Sequence, residues 1–160
     1  MNAMRYRVIE SPVGPLTLAG NDKALTNLHM QDQSHPPTGR DMWVLDDRAF
    51  PEVVDQIEAY FAGELTEFDV TLSLEGTPFQ QQVWSTLQGI PFGETVSYGE
   101  VAARIGRPAA SRAVGLANGR NPVAIIVPCH RVVGSTGALT GYAAGPARKQ
   151  KLLDLEQSHR

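Results

Sequence analysis

The residues best suited to chemistry in this chain are Cys129, the only cysteine among 160 residues, and His130, which follows it directly. A thiolate is a strong nucleophile, but a free thiol with a pKa of about 8.5 is only slightly ionised at neutral pH. A neighbouring imidazole can accept the thiol proton, directly or through one water molecule. Because free cysteines are also common as small apolar core residues, the pair alone does not establish a catalytic role.

The apolar run at residues 125–127, Ile-Ile-Val, leads into Pro128 and then into the cysteine. Such a β-branched run predicts a buried strand. The strand should end at Pro128, because proline has no N–H to donate to a sheet. We therefore expect the Cys129 thiol at the exit of a strand, inside the protein but beside a turn.

The stretch 125–133, Ile-Ile-Val-Pro-Cys-His-Arg-Val-Val, preceded by Asn121-Pro122, resembles the active-site signature of the O6-alkylguanine-DNA alkyltransferases. The resemblance extends over residues 79–156 and, more weakly, over residues 6–74. Members of this family repair DNA by moving an alkyl group from guanine O6 to their own cysteine. The resemblance therefore implies direct reversal of DNA damage without a cofactor or a metal, with each protein molecule acting once.

The resemblance also implies roles for five side chains. Cys129 is the nucleophile and alkyl acceptor, and His130 is the base that takes its proton through a bridging water. Glu156 orients the imidazole and stabilises its charged form, as in other nucleophile–base–acid relays. Tyr98 donates a hydrogen bond or a proton to guanine N3, and Asn121 braces the turn that holds the cysteine. Without the resemblance, Glu156 would be a solvated helix carboxylate, Tyr98 a packed aromatic and Asn121 part of an ordinary turn.

Three further positions are expected to contact the guanine base. Tyr142 lines the pocket, and the backbone of Cys129 and Val132 accepts hydrogen bonds from the exocyclic amine. Backbone N–H groups around Ala143 meet O6. Many relatives carry serine at position 143, so alanine keeps the backbone donor but removes a hydroxyl donor.

Residues 97–119 predict two short helices joined by a tight turn, which is a helix-turn-helix. Ser97 and Glu100 have the spacing of a capping box, and Gly106 is expected to end the first helix. Pro108 is expected to begin the second helix, which extends to residues 118–119. Helical hairpins of this kind are common, so the pattern alone is a weak indication of DNA binding.

The second predicted helix is rich in small side chains and carries one long cation, Arg112. Small residues allow a helix to lie close to another surface, which could be a neighbouring helix or a shallow nucleic-acid groove. The resemblance implies that this helix enters the minor groove and that Ser111, Arg112, Ala113 and Tyr98 contact DNA. It also implies that Arg112 fills the gap left by a flipped nucleotide.

The remaining patterns predict an α+β fold with two domains. A small N-terminal α/β domain, residues 1–76, would hold a short antiparallel sheet and one helix. A mainly helical C-terminal domain, residues 77–160, would carry the active site and a winged helix-turn-helix-like motif. Strands are predicted at residues 6–9, 16–19, 25–30 and 68–74, loops at 31–50 and 134–145, and helices at 51–62, 77–89 and from Pro146 onward. The cations of the last helix, Arg148, Lys149 and Lys151, are expected to be solvated.

Charge is distributed unevenly along the chain, whose net charge is −3. Residues 1–76 contain five Lys and Arg and thirteen Asp and Glu, whereas residues 77–160 contain nine and four. The basic second part favours an anionic partner, which the resemblance identifies as double-stranded DNA containing O6-alkylguanine. We expect a monomer, with cooperative assembly along DNA left open.

The cysteine count and the hydropathy narrow the class of protein further. One cysteine excludes an internal disulfide and a multi-cysteine zinc site, and a lone thiol suits a reducing cytoplasm. A hydrophobic content of 42%, with no apolar run of spanning length, argues against a membrane protein. The first ten residues show no signal-peptide pattern. A cytoplasmic protein without a membrane partner is therefore expected.

Two other functions stay open from the sequence. A Cys-His hydrolase of acyl substrates would need an oxyanion hole and multiple turnover, and no pattern in the chain predicts either. A non-catalytic helix-turn-helix DNA-binding protein would not need the nucleophile, so the presence of Cys129 argues against it. We expect single-turnover alkyl transfer from DNA to Cys129.

Overall fold

The N-terminal part of the chain forms a four-stranded sheet packed against one helix. The computed structural model describes residues 4–139 and 142–159. The elements of this part are β1 (Arg5–Ile9), β2 (Leu16–Gly20), β3 (Leu25–Met30), β4 (Val44–Leu45) and α1 (Pro51–Phe61). The strand order is β3-β2-β1-β4, in which β4 runs parallel to β1 and the other pairs are antiparallel. The first three predicted strands and the predicted helix are confirmed.

Two tight turns connect the first three strands, as the sequence indicates. Gly14 adopts a positive φ of 92° and donates its N–H to the Ser11 carbonyl at 3.0 Å, a conformation that glycine adopts without a steric penalty. Asn21 Oδ1 accepts from the N–H groups of Lys23 and Ala24 at 2.8 and 3.0 Å, which is an Asx turn. The turns set a register in which the inward side chains of β2 are fully buried.

The C-terminal part is mainly helical. Its elements are α2 (Pro78–Leu87), β5 (Val96–Ser97), α3 (Tyr98–Arg104), α4 (Ser111–Gly119), β6 (Val132–Val133) and α5 (Pro146–Ser158). Capping boxes at Thr77 and Ser97 begin α2 and α3. Each of these side chains accepts the N–H of the residue three positions on, whose own side chain accepts the backbone N–H of Thr77 or Ser97. Helices α3 and α4 form the predicted helix-turn-helix. The predicted α+β class is confirmed.

The strand predicted at residues 68–74 is wrong. These residues keep the expected alternation of half-buried and exposed side chains, but only Leu72 bridges to β3, at Leu25. Further along β3, Leu28 hydrogen-bonds to Pro122 and Ala124 and not to residues 68–74. Residues 68–74 therefore form a single bridge with β3. The loop predicted at 31–50 was also too simple, because it contains β4 and a short 3-10 helix, Arg40–Met42.

Helix α4 begins later than predicted. Residues 107–110 form a turn in which the Ala110 N–H donates to the Arg107 carbonyl at 2.9 Å. Pro108 therefore lies within this turn, and the first helical residue is Ser111. Proline at the second position of a turn is as favourable as proline at a helix start, so the sequence pattern alone could not separate the two.

The edge strand β3 joins the two parts of the chain. Leu28 donates its N–H to the Pro122 carbonyl at 2.9 Å, and its own carbonyl accepts from the Ala124 N–H at 3.0 Å. Apolar side chains of β2, α1, α2 and α5 belong to one continuous core. The segment that leads to Cys129 is therefore anchored on the N-terminal sheet, and the domain division at residues 76 and 77 stays a prediction. Within the described residues, no helix combines the length and apolar character needed to cross a bilayer.

Candidate active site

The segment before the cysteine is a buried turn, so the strand predicted at residues 125–127 is wrong. Its N–H groups bond locally: Ile126 donates to the Ala124 carbonyl at 2.8 Å and Val127 to the Val123 carbonyl at 3.1 Å. Ile125 adopts a φ of 71°, which is rare for a β-branched residue. The prediction of burial was right, but among residues 4–139 and 142–159 no strand pairs with this run. Cys129 instead begins a 3-10 helix, Cys129–Arg131.

Two asparagines hold this turn from inside. Asn121 Nδ2 donates to the Val127 carbonyl at 2.8 Å, and its Oδ1 accepts from the Val123 N–H at 3.0 Å. Asn118, on α4, donates from Nδ2 to the Cys129 carbonyl at 3.2 Å. The contacts of Asn121 fit the bracing role expected of it. Asn118 was not identified from the sequence, where it looks like a polar residue near a helix end.

A buried carboxylate, Glu156, lies at the centre of a hydrogen-bond network beside the cysteine. His130 Nε2 lies 2.6 Å from Glu156 Oε2. Arg131 donates from Nε to Oε1 at 2.9 Å and from its terminal nitrogen to Oε2 at 3.0 Å. The Tyr60 hydroxyl donates to Oε2 at 2.6 Å, and the Gly93 N–H donates to Oε1 at 3.2 Å. Buried charges are tolerated when they are paired and hydrogen-bonded in this way.

The network determines which groups are ionised. Burial would raise the pKa of Glu156, but hydrogen bonds from His130 and Arg131 outweigh it and hold this pKa well below its ordinary value. Burial lowers the pKa of His130, although Glu156 opposes the shift. With Nε2–H donated to the carboxylate, the tautomer leaves Nδ1 as the acceptor. Nδ1 is buried and has no hydrogen-bond partner within residues 4–139 and 142–159, so it is available to accept a proton.

The thiol itself is protonated in this resting state. Cys129 is only 4% exposed, and burial raises the pKa of its thiol to about 11. Asn121, the charge of Lys149 and nearby backbone N–H groups act in the opposite direction. The site therefore combines a neutral thiol, a neutral imidazole and an ionised carboxylate, an arrangement that can pass a proton from sulfur to nitrogen.

Lys149 on α5 is buried, so the prediction that it is solvated is wrong. Its side chain is 0% exposed, and Nζ lies 5.7 Å from the ring centroid of Tyr98 and 5.9 Å from that of Tyr142. Burial lowers the pKa of Lys149 to about 8. The aromatic faces stabilise the ammonium group in place of water. Of the other two cations on this helix, Lys151 is exposed and Arg148 is half-buried.

Two tyrosines lie close to the cysteine. Burial raises the pKa of both Tyr98 and Tyr142, and the negative charge that Cys129 can carry raises it further. Each phenol is therefore a neutral donor at pH 7. The pairing of Val96 with Val132 in the β5–β6 sheet places the start of α3 beside the cysteine segment.

The loop that carries Tyr142 and Ala143 is attached to the N-terminal part. The Ser34 N–H donates to the Ala143 carbonyl at 2.8 Å. Arg148 also donates to the Gln31 carbonyl. Ala143 is half-buried. Thr140 and Gly141, in the loop predicted at 134–145, lie outside the described residues.

Three of the four predicted DNA-contacting residues lie on a separate, exposed face, whereas Tyr98 is half-buried beside the cysteine segment. Ser111, Arg112 and Ala113 are all exposed at the start of α4, and Leu116 on the same helix is 75% exposed. A Cβ added at Gly115 would lie 3.9 Å from the Tyr98 ring, so small residues allow α4 to approach α3 closely. The structure thus brings together Cys129, His130, Glu156, Asn121, Tyr98, Tyr142 and Val132, whereas Ser111, Arg112 and Ala113 lie on the outer surface.

Fold and site together define a class of protein: an α+β protein in which a buried cysteine, with a His–Glu pair beside it, adjoins an exposed helix-turn-helix. Family models agree with this class. The model described as 6-O-methylguanine DNA methyltransferase, DNA binding domain, matches residues 78–158. The model for the ribonuclease-like domain of the same methyltransferase matches residues 4–74.

Known relatives match the chain along nearly all of its length. A methylated-DNA–protein-cysteine methyltransferase of Mycobacterium tuberculosis is 62% identical over 155 residues, covering 97% of this chain and 93% of the relative. A protein of the same name from Methanosarcina acetivorans is 54% identical, with 97% and 99% covered. The crystal structure of Mycobacterium tuberculosis OGT in complex with DNA has a TM-score of 0.92 at 62% identity, covering 97% of this chain and 94% of that one. The chain belongs to the 6-O-methylguanine DNA methyltransferase family.

Proposed function

We propose that this protein repairs DNA by direct reversal, as a methyltransferase whose acceptor is its own Cys129. The sulfur attacks the alkyl carbon on guanine O6, a C–S bond forms, and the C–O bond breaks. The products are an unmodified guanine and a thioether on the protein. The observation that carries the proposal is the buried His130–Glu156 pair beside a single cysteine. A thioether is not readily hydrolysed, so each molecule acts once.

The proton of the thiol is proposed to move to His130 Nδ1, through a bridging water. Because burial raises the thiol pKa to about 11, sulfur carries its proton in the resting state, and a base must remove that proton for the attack. Glu156 holds Nε2–H and stabilises the imidazolium that forms. The charge of Lys149 favours the developing thiolate.

The base is proposed to be recognised mainly by backbone groups. The carbonyls of Cys129 and Val132 accept from the exocyclic amine, and the N–H around Ala143 donates to O6. Tyr98 donates to N3 as O6 leaves, which stabilises the departing guanine, and Tyr142 lines the pocket. These contacts select guanine, because their donor and acceptor pattern matches the edge of that base.

The DNA contact is proposed to use the exposed face of α4. Double-stranded DNA would meet Ser111, Arg112 and Ala113, with Arg112 replacing the nucleotide that is flipped out. Flipping costs a few kcal/mol, and contacts to phosphates supply affinity without sequence preference. Binding should therefore weaken with added salt.

The alternatives have less support. A hydrolase needs donors arranged for an oxyanion and repeated turnover, and relatives at 62% identity carry the name of a methyltransferase. That name and the presence of Cys129 also disfavour a purely DNA-binding protein. We further propose a reducing, cytoplasmic setting, in which a lone thiol stays unoxidised.

The function is tested by comparing wild-type protein with Cys129→Ser on a duplex containing one O6-methylguanine whose methyl group carries tritium. We expect label to move to wild-type protein up to one methyl per molecule and then stop. The serine variant should bind the same duplex and remain unlabelled. Continued release of methanol, or label on the serine variant, would contradict the proposal.

A further inference from the structure

Tyr60 on α1 reaches from the N-terminal part of the chain to the carboxylate of Glu156. Its hydroxyl donates to Oε2 at 2.6 Å, and His130 Nε2 lies at the same distance from the same oxygen. Tyr60 and Glu156 are both buried and are 96 positions apart in the sequence. The contact therefore exists only when the two parts of the chain are packed together.

The Tyr60 ring is held by three aromatic neighbours, one on α1 itself and two in the irregular segments that follow α1 and α2. Its centroid lies 5.2 Å from Phe61, 5.4 Å from Phe68 and 6.0 Å from Phe92. Edge and tilted contacts of this kind are favourable beyond the burial of apolar surface. Because they involve the ring, a phenylalanine at position 60 keeps them and removes only the hydroxyl.

We propose that Tyr60 is a positioning residue for alkyl transfer, through which the N-terminal part of the chain sets the orientation and effective charge of the Glu156 carboxylate. The inference rests on the proposed function, because it assigns Tyr60 to the same reaction. A donor on Oε2 fixes the carboxylate in the plane that His130 needs. It also draws negative charge away from the oxygen that faces the imidazole.

The proton of the Tyr60 hydroxyl remains on Tyr60. Burial raises the pKa of this phenol far above its usual value, and the charge of Glu156 raises it further. The group is therefore a permanent neutral donor, and it does not act as an acid in the reaction. Its effect on the cysteine passes through Glu156 and His130.

Several other charged or titratable groups surround this carboxylate. Arg131 donates to both oxygens from the 3-10 helix, and the Gly93 N–H donates from the turn after α2. At longer range, Tyr142 interacts electrostatically with Glu156, and the charge of Lys149 acts on His130. All of these groups remain when the Tyr60 hydroxyl is removed. The carboxylate would then interact more strongly with His130, so the pKa of that imidazole should rise and its neutral, proton-accepting form should become scarcer.

The test is the variant Tyr60→Phe, with Tyr6→Phe as the matched control. Tyr6 belongs to the same part of the chain, but its ring lies against Trp43, with centroids 6.4 Å apart. Single-turnover methyl transfer from an O6-methylguanine duplex is measured across the pH range in which His130 titrates. We expect Tyr60→Phe to react about tenfold more slowly at neutral pH, as for the loss of one hydrogen bond to a charged group. The acid limb of its rate profile should move to higher pH, while duplex affinity stays unchanged.

The possible results distinguish the positioning role of Tyr60 from the proposed repair function. A Tyr60→Phe variant with the wild-type rate and acid limb overturns the inference, while the wild-type adduct on Cys129 still supports repair. A slower variant with an unshifted acid limb indicates structural support alone and also overturns it. A wild-type protein that forms no adduct overturns the proposed function instead.

A measurement on the wild-type protein covers the case in which Tyr60→Phe does not fold. The Tyr60 hydroxyl proton should give a slowly exchanging, low-field NMR signal with a nuclear Overhauser effect to the His130 ring. The absence of that signal would overturn the inference without any variant.

Discussion

The substitution Glu156→Gln tests the buried network at its centre. Glu156 is 1% exposed and accepts hydrogen bonds from Tyr60, Gly93, His130 and Arg131. Glutamine has the same shape but lacks the charge, and its amide nitrogen would face donors. The buried Arg131 guanidinium would keep its bond to the Ile90 carbonyl and could bond one amide oxygen, but it would lose its opposite charge. Removing one partner of a buried ion pair costs about 3–5 kcal/mol.

That cost is a large part of the stability of an ordinary domain, which is about 5–15 kcal/mol. For a chain of this size, each kcal/mol lowers the melting temperature by about 2–4 °C. We therefore expect Glu156→Gln to unfold on the order of 10 °C below wild type at neutral pH. Methyl transfer should slow by about a hundredfold or more, as when the orienting acid of a related relay is made neutral.

The pH dependence of this effect has a defined sign. Because the folded-state pKa of Glu156 lies below its ordinary value of 4.5, the carboxylate stabilises the fold above that value. The stabilisation is lost as pH falls through the lowered pKa. The difference between wild type and Glu156→Gln should be full at neutral pH and should shrink in acid.

The assay is thermal unfolding followed by circular dichroism, together with single-turnover transfer. Glu58→Gln is the matched control, because Glu58 lies on the exposed face of α1 and should change stability by less than about 0.5 kcal/mol. If Glu156→Gln melts within about 2 °C of wild type at neutral pH, the reasoning about the buried ion pair is refuted. A transfer rate equal to that of the control would refute the relay.

Three further changes probe other parts of the molecule. Arg112→Ala should slow repair of duplex DNA more than reaction with a free O6-alkylguanine base, and equal losses in competition kinetics would contradict its role at the flipped nucleotide. Lys149→Met should raise the thiol pKa of Cys129 above about 11, measured by the pH dependence of iodoacetamide alkylation, whereas the exposed Lys151→Met should leave it unchanged. Burial lowers the pKa of His29 to about 4, so the free energy of unfolding should fall as pH drops from about 6.5 to about 4. In urea unfolding measured across this range, His29→Gln should remove that part of the pH dependence. An unchanged pH dependence would argue against a buried neutral His29.

Local signals in the sequence predicted the elements that depend on neighbouring residues. The capping box at Ser97 and the end of the same helix near Gly106 depend on contacts within a few positions, so the sequence predicts them. The strand predicted before Cys129 failed because strand formation needs a partner. The sequence shows that this run is apolar, but it does not show that the run lacks a partner strand in the part of the chain that the structure describes.

The candidate site was predictable as far as the resemblance reached. Cys129 and His130 follow from the signature, and the role of Glu156 follows from the wider resemblance. Tyr60 and Lys149 were missed, because their roles depend on tertiary packing. Tyr60 looks like any apolar residue of an amphipathic helix, and Lys149 looks like a solvated cation until two tyrosine rings are placed against it.

The central claim is that one sulfur is consumed as it removes a lesion from DNA. Its most direct test is mass spectrometry of the protein and of a duplex containing one O6-methylguanine after they have reacted. We expect one added methyl group, located on the peptide that contains Cys129, and a strand in which plain guanine replaces the lesion. A repaired strand with unmodified protein, or a methyl group on any other residue, would contradict it.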